Sequence, residues 1–127
     1  MTNVEFKLAD AKKLPFHREF FDLVMCRHAP FYADEVFRVL KEQGVFLTQQ
    51  VAENDKQNIK DIFGRGQSFG VRPGTHLKGY VKGLKMAGFD IEREDTYDAE
   101  EYYADMADLI FLLRNTPIVP DFDVEQD

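Results

Sequence analysis

Hydrophobic and polar positions change period several times along this chain, and each change predicts an element. Val4 to Ala9 (VEFKLA) alternates apolar and polar, which predicts a strand closed by Asp10 and Ala11. Leu14-Pro15-Phe16 predicts a turn, because proline fixes its own φ and disfavours helix at the residue before it. Phe20 to Cys26 (FFDLVMC) is almost wholly apolar, the pattern of a strand covered on both faces in a parallel sheet. A helix is expected to open at Pro30 and run over Phe31–Lys41, with Phe31, Val36, Val39 and Leu40 on one stripe. Gly44 then suits a left-handed helix C-cap, and Val45 to Val51 (VFLTQQV) predicts a third strand.

The second half is more polar. Asp55 to Phe63 predicts a helix ending at Gly64, followed by a glycine-rich loop over 64–74. Thr75 is placed to N-cap a helix from His76 to Ala87, with Gly88 as its C-cap. Gly79 and Gly83 lie inside that helix, each costing about 1 kcal/mol relative to Ala, and their spacing suggests close packing against a neighbour. Phe89 to Tyr97 alternates and predicts a fourth strand, whereas 98–104 fits neither period. Met106 to Arg114 suits a buried strand or a helix, and Asp105 near its start favours the helix. Thr116 to Asp127, with two prolines, predicts an extended tail. The order of elements predicts an α/β layer fold, and a chain of 127 residues without a linker predicts one domain over 1–127.

Composition narrows the function classes. The formal net charge is −7, which opposes phosphate binding, so no nucleic-acid partner is expected. No apolar run approaches the roughly 18–20 residues that span a bilayer, and the N-terminus lacks a basic flank followed by an apolar stretch. One cysteine excludes an intrachain disulfide and suits a reducing, cytoplasmic setting. Cys26 fits a small core residue better than a nucleophile, although exposure beside Arg27 and His28 would lower its pKa. His17, His28 and His76 show no metal-ligand spacing with Cys26, and no metal is expected.

Other motifs have plain readings. Glu35 and Arg38 are one turn apart and suit a surface ion pair. The GRGQSFG stretch follows a helix and lacks dinucleotide-loop spacing, which predicts a mobile connection rather than a phosphate cradle. Gln49 and Gln50 end a strand, either facing a ligand or capping the strand. The acidic run from Asp90 to Asp108 suits a solvated face, and Tyr97, Tyr102 and Tyr103 suit packing.

The succession "FKLADAKKLPFHREFFDLVMCRHAP…DEVFRVLKEQGVFLTQQV" resembles the middle of a class I S-adenosylmethionine-dependent methyltransferase. The matching pieces are Asp10-Ala11 after a strand, the LPF turn at 14–16, the FDLV strand at 21–24 and the helix ending RVLKEQG at 38–44. The family's usual form at that last place is RVLKPGG, so Glu42-Gln43 stands for Pro-Gly. The stretch "DLIFLLRNTPIVPDFDVEQD" resembles the region after the sixth strand in a subgroup of bacterial small-molecule methyltransferases.

The resemblance implies a truncated Rossmann-like methyltransferase sheet, mostly parallel, with flanking helices, covering the central to C-terminal part of that fold. The family's glycine-rich methionine loop, its ribose-binding acid and its last strand have no counterpart here, so a fragment is expected. The resemblance further implies Asp10 as the acceptor of the adenine amino group, with the Ala11 amide beside the ring and Arg27 facing the cofactor. His28 is the implied catalytic residue, a general base toward a small-molecule methyl acceptor. The plain alternatives are that Asp10 ends a strand and that Arg27 and His28 are loop polars. Cofactor binding by the chain alone is expected to be weak or absent. A non-catalytic module that self-associates or completes a partner is the alternative function. A strand at 20–26 without its family neighbour leaves a bare apolar edge, so either Val4–Ala9 pairs with it or two copies associate, and a homodimer is expected, with strand exchange as one form of it.

Overall fold

The computed structural model describes residues 3–127, and the chain divides into two compact units. One takes in the chain up to Val51 together with Tyr80–Glu92; the other comprises Ala52–Gly79 and Arg93–Asp127.

The first unit is built on a strand–helix–strand crossover. Strand β1 (Phe21–Arg27) runs parallel to β2 (Leu40–Gln49), and helix α1 (Ala33–Val39) lies between them in sequence. The mixed α/β class and the parallel pairing follow the sequence expectation, because an apolar FDLVMCR run and a later apolar VFLT run need a crossover of about a dozen residues to lie side by side in parallel. Leu23, Val24, Met25, Cys26 and Arg27 pair in order with Val45, Phe46, Leu47, Thr48 and Gln49.

The register breaks between Phe21, opposite Leu40, and Leu23, opposite Val45. The chain from Lys41 to Gly44 is therefore looped out as a wide irregularity. This corrects the expected helix to Lys41 and the expected C-cap at Gly44. The helix stops at Val39 because Leu40 is already extended, at φ −83° and ψ 140°, and opposite Phe21. Gly44 serves a different need: a Cβ there would stand 2.8 Å from Leu40 Cδ2 and 2.9 Å from the Lys41 carbonyl oxygen.

One face of the pair is covered by aromatic and aliphatic side chains. Val36, Val39 and Leu40 are buried, with Leu84 from helix α3 (Thr75–Ala87), whose residues from Tyr80 belong to this unit. Phe31 meets Phe46 edge to face at 5.0 Å, and Phe89 reaches both Phe37 at 5.2 Å and Phe46 at 6.0 Å between centroids. The opposite face is bare. Leu23, Met25, Val45 and Leu47, two directly paired couples, are 50%, 68%, 49% and 57% exposed. The expectation of cover on both faces is thus corrected to cover on one.

α3 ends as its glycine predicts. The Gly88 amide donates to Lys85 and the Phe89 amide to Leu84, the two bonds of a Schellman motif, with Gly88 at φ +115°. The start differs: the Thr75 hydroxyl donates to the Arg72 carbonyl at 2.6 Å instead of accepting from the helix. The acceptor there is Glu53, whose carboxylate takes the Gly74 amide at 3.2 Å and the His76 amide as well.

In the second unit, helix α2 (Gln57–Phe63) ends at Gly64 in the left-handed region, φ 64°, as expected. Helix α4 (Met106–Asn115) is N-capped by Asp105, which accepts from the Asp108 amide at 3.0 Å. The core is Leu113, Ile118 and Val119, flanked by Ile59, Phe63, Leu109, Leu112 and Phe122. The expected extended tail is corrected to a chain of turns: Ile118 and Val119 are buried because they cover the apolar stripe of α4. Lys60 is 2% exposed, and its ammonium donates to the carbonyls of Glu53 at 2.6 Å and Gln67 at 3.0 Å.

Two expected strands do not form. Residues 3–9 and 89–100 have no regular structure, and Val4, Phe6 and Leu8 are 63%, 92% and 103% exposed. Alternation suits a strand, but a strand exists only when a neighbour takes its N–H and C=O groups. Among the described residues β1 pairs with β2 and with no other strand, so Val4–Ala9 does not cover its free edge.

Candidate functional site

The carboxyl ends of parallel strands are where open α/β sheets bind ligands, because the loops there diverge and leave a crevice. In this chain that end is formed by Arg27 and His28 after β1 and by Thr48, Gln49 and Gln50 at the close of β2. The Arg27 Nε–H donates to Gln49 Oε1 at 2.9 Å, and the His28 amide donates to the Gln49 carbonyl at 2.9 Å. The Gln50 amide group donates to the Ala29 carbonyl at 2.9 Å and to Thr48 Oγ1 at 3.0 Å, while the Thr48 hydroxyl donates to the Cys26 carbonyl at 2.9 Å. Both glutamines therefore tie the loop after β1 to the end of β2.

This tying explains His28. Its φ is +52°, in the left-handed region that few residues other than glycine adopt, and the bonds on either side hold it there. Its imidazole is exposed, as is Arg27. A guanidinium and an imidazole thus stand next to each other at the carboxyl end of the sheet, the first a donor for an anion, the second a donor or acceptor of a hydrogen bond.

Cys26 is half-buried rather than a core residue. Its thiol donates to the Ala29 carbonyl at 3.3 Å, so it serves the same loop.

Asp10 and Ala11 occupy a turn of their own. The Lys13 amide donates to the Asp10 carbonyl at 2.9 Å, and the Lys12 amide donates to Asp10 Oδ1 at 2.9 Å. Asp10 is exposed, and its hydrogen bonds stay within this turn; they do not reach the Arg27–His28 end. The geometry of an Asx turn leaves the second carboxylate oxygen directed outward, able to accept from an amino group.

One part of the site region was underestimated by spacing alone. Glu35 and Arg38 form more than a surface pair. Arg38 Nη2 meets Glu35 Oε1 at 2.7 Å and Nε meets Oε2 at 3.0 Å, a two-pronged arrangement. Arg38 also donates to the carbonyls of Phe16 at 2.8 Å and Leu14 at 3.0 Å, and Glu35 accepts the Leu14 amide at 2.7 Å. The pair therefore clamps the Leu14-Pro15-Phe16 turn, and a shallow groove of about 470 Å³ lies along it, lined by Lys13 and these residues. The Arg38 hydrogen bonds, with the Leu14 amide, hold the Glu35 carboxyl at about 2. Proline in the turn lacks an N–H, which leaves the turn one backbone donor short and is the signal that a side-chain donor was needed.

The tyrosines are corrected as well. Tyr97 and Tyr102 are 70% and 86% exposed, so neither is a buried core residue. Tyr102 and Tyr103 donate instead to Glu100 at 2.6 Å and Glu101 at 2.8 Å. Among the described residues no group of His, Cys, Asp and Glu could hold a metal ion, and no helix is long and apolar enough to cross a membrane.

Residues 1–48 match the model of a family described as a methyltransferase domain. The matched stretch contains the Asp10 turn, β1, α1 and most of β2. The match covers less than half of the chain, and it makes this stretch similar to part of a methyltransferase domain. No solved structure matches the chain.

Proposed function

We propose that this methyltransferase-like chain carries the adenine-side and acceptor-side portion of an S-adenosylmethionine site that acts on a small molecule, in a reducing, cytoplasmic setting. The observation that supports this best is the end of the β1–β2 pair, where Arg27 and a left-handed His28 are held outward by Gln49 and Gln50. The free oxygen of Asp10 fits the adenine amino group, and the Ala11 amide lies next to it in the turn. His28 takes the proton of the acceptor, and Arg27 orients the cofactor or acceptor. The bound cofactor supplies an electrophilic methyl group; the chain's residues contribute position and proton removal.

Among residues 3–127 no glycine-rich turn follows a strand, because the glycine-rich loop at 64–74 follows α2. Binding by this chain alone is accordingly weak, and the activity belongs to a larger site of which this is a portion. Isothermal titration with S-adenosylmethionine and S-adenosylhomocysteine tests the reading. Binding only at high micromolar to millimolar ligand, weakened further by Asp10→Ala, supports this reading; micromolar binding lost in Asp10→Ala would keep Asp10 in the site but overturn its being partial. Binding unchanged by Asp10→Ala and by Arg27→Ala removes these residues from the site.

A second reading is favoured by the bare sheet face: a self-associating module without catalysis. Leu23, Met25, Val45 and Leu47 are exposed together, and a second copy covering them would remove apolar surface from water. Light scattering after size exclusion is expected to give a homodimer at micromolar concentrations. A monomer across that range, or a dimer that survives Met25→Lys and Leu47→Lys together, overturns this second reading.

A further inference from the structure

The loop after α2 holds an arrangement that methyl transfer does not use. Residues 66–70 read Gly-Gln-Ser-Phe-Gly, and Ser68 sits at φ +58° between two glycines that also have positive φ. Gly66 is required by space, since a Cβ there would lie 2.5 Å from Lys60 Cγ and 2.8 Å from the Ile118 carbonyl oxygen. A serine on a tight turn between glycines can present its hydroxyl outward, here in a loop between two helices rather than at the end of a strand.

The partners of that hydroxyl are in place. Ser68 Oγ is 2.9 Å from His76 Nε2. On the other side of the ring, His76 Nδ1 is 3.7 Å from Glu53 Oε1. Glu53 is 3% exposed, and its carboxylate is fixed by the amides of Gly74 and His76. Burial pushes this carboxyl up, but the amides of His76, of Glu53 itself and of Gly74, with the His76 ring, outweigh it and hold it below the usual carboxylate range. An ionised carboxylate beside Nδ1 favours the tautomer with hydrogen on Nδ1, which leaves Nε2 to accept from Ser68. At 3.7 Å this is an ion-pair distance, beyond hydrogen-bond range, so Glu53 acts on the ring through its charge. A serine–histidine–carboxylate set is recognised by geometry and roles, whatever the order in sequence.

We propose that Ser68, His76 and Glu53 form a hydrolytic site for activated carboxylic esters, with Ser68 the nucleophile, His76 the general base and Glu53 a positioning residue. Ser68 Oγ bonds to the ester carbonyl carbon as its proton passes to His76 Nε2 and the carbonyl electron pair moves to oxygen. The pair returns as the acyl–oxygen bond of the ester breaks, and His76 gives its proton to the departing oxygen. Water, deprotonated by His76, then attacks the acyl-serine, and Ser68 regains its proton as the carboxylic acid leaves. The sum is ester plus water to acid plus alcohol.

The structure also sets the substrate class. The Phe69 amide, which follows the nucleophile and would serve the developing oxyanion, is occupied by the Gly66 carbonyl at 3.0 Å. Lack of such a donor costs a factor of about 10² to 10³ in rate, so only esters with a weakly basic leaving group react. Phe69 and Val71, 41% and 38% exposed on the same loop, offer an apolar surface to a short acyl or aryl group.

The test uses the whole chain with p-nitrophenyl acetate and with a fluorophosphonate probe read by peptide mass spectrometry. The expected results are a single adduct on Ser68, nitrophenolate release abolished in Ser68→Ala, and both reactions slowed at least about 100-fold in His76→Gln. Glu53→Gln, checked for folding by circular dichroism, is expected to move the acidic limb of kcat/KM to lower pH, because the imidazolium loses its counter-charge. No adduct on Ser68 in the unaltered chain overturns the proposal, and that measurement does not depend on any variant's folding. Ester hydrolysis at the parent rate in Ser68→Ala does the same. An acidic limb that stays in place in folded Glu53→Gln removes Glu53 from the set.

Discussion

Three glycines of α3 and its cap offer one substitution with opposite signs. Gly79 and Gly83 lie within the helix, and a Cβ at either would meet nothing within 4 Å. Alanine at each position adds no clash and lowers the entropy of the unfolded chain, so each change is expected to stabilise by about 0.5–1 kcal/mol. Gly88 differs in two ways. Its φ of +115° is outside the range alanine favours, a cost of about 1–2 kcal/mol. A Cβ there would also stand 2.9 Å from Phe37 Cζ and 3.0 Å from Cε2, and that ring is held by Phe89 at 5.2 Å between centroids, so relief costs about 1–3 kcal/mol more. Subtracting about 0.4–1 kcal/mol for the unfolded-state effect leaves Gly88→Ala destabilised by about 1–4.6 kcal/mol. Urea titration followed by circular dichroism reads both: at a slope of about 2 kcal/mol per molar, the Gly88 variant loses about 0.5–2.3 M of midpoint, and the Gly79 and Gly83 variants gain about 0.25–0.5 M. A Gly88→Ala midpoint within 0.2 M of the parent would refute the close-approach argument. A loss at Gly79 or Gly83 would show that a neighbour does pack on that face of the helix, as the spacing had suggested.

Two further outcomes follow from buried and clamped charges. The folded Glu35 carboxyl titrates at about 2 against 4.5 for an unperturbed one, so its contribution is fully present above pH 4.5 and is lost as pH falls toward 2. Glu35→Gln is therefore expected to flatten the acid limb of the stability profile in that window, and an unchanged acid limb in the variant would remove the clamp as its cause. Lys60→Met keeps the buried stem but removes two bonds from a charged donor, at about 1.5–3 kcal/mol each, offset by the relief of burying an ammonium. A net loss of about 1–3 kcal/mol in urea stability is expected, and a stabilised variant would mean that the Glu53 and Gln67 carbonyls find other donors.

What the sequence by itself determined is local. The periodic run of α4 and its Asp105 cap, Gly64 at the end of α2, and Gly88 with its two Schellman bonds follow from residues within a few positions of one another. The parallel β1–β2 pair was legible too, since two apolar runs separated by a helix have few other ways to associate. The match of residues 1–48 to a methyltransferase domain rests on the same stretch, whose order of turn, strand, helix and strand is written in consecutive residues. Only the tertiary structure decided the rest. Val4–Ala9 and Phe89–Tyr97 alternate as strands do, yet a strand is a property of two segments' backbone groups, and among the described residues no neighbour supplies the second. Spacing made Glu35 and Arg38 a pair, but only the fold brought the Leu14 and Phe16 carbonyls, more than twenty residues away in sequence, under the same guanidinium. Likewise Glu53 becomes a helix cap and a partner of His76 across 23 residues, and Ser68 meets His76 across eight. No periodicity records such meetings, because they depend on where a loop turns back, and the energy that holds the turn comes from groups distant along the chain.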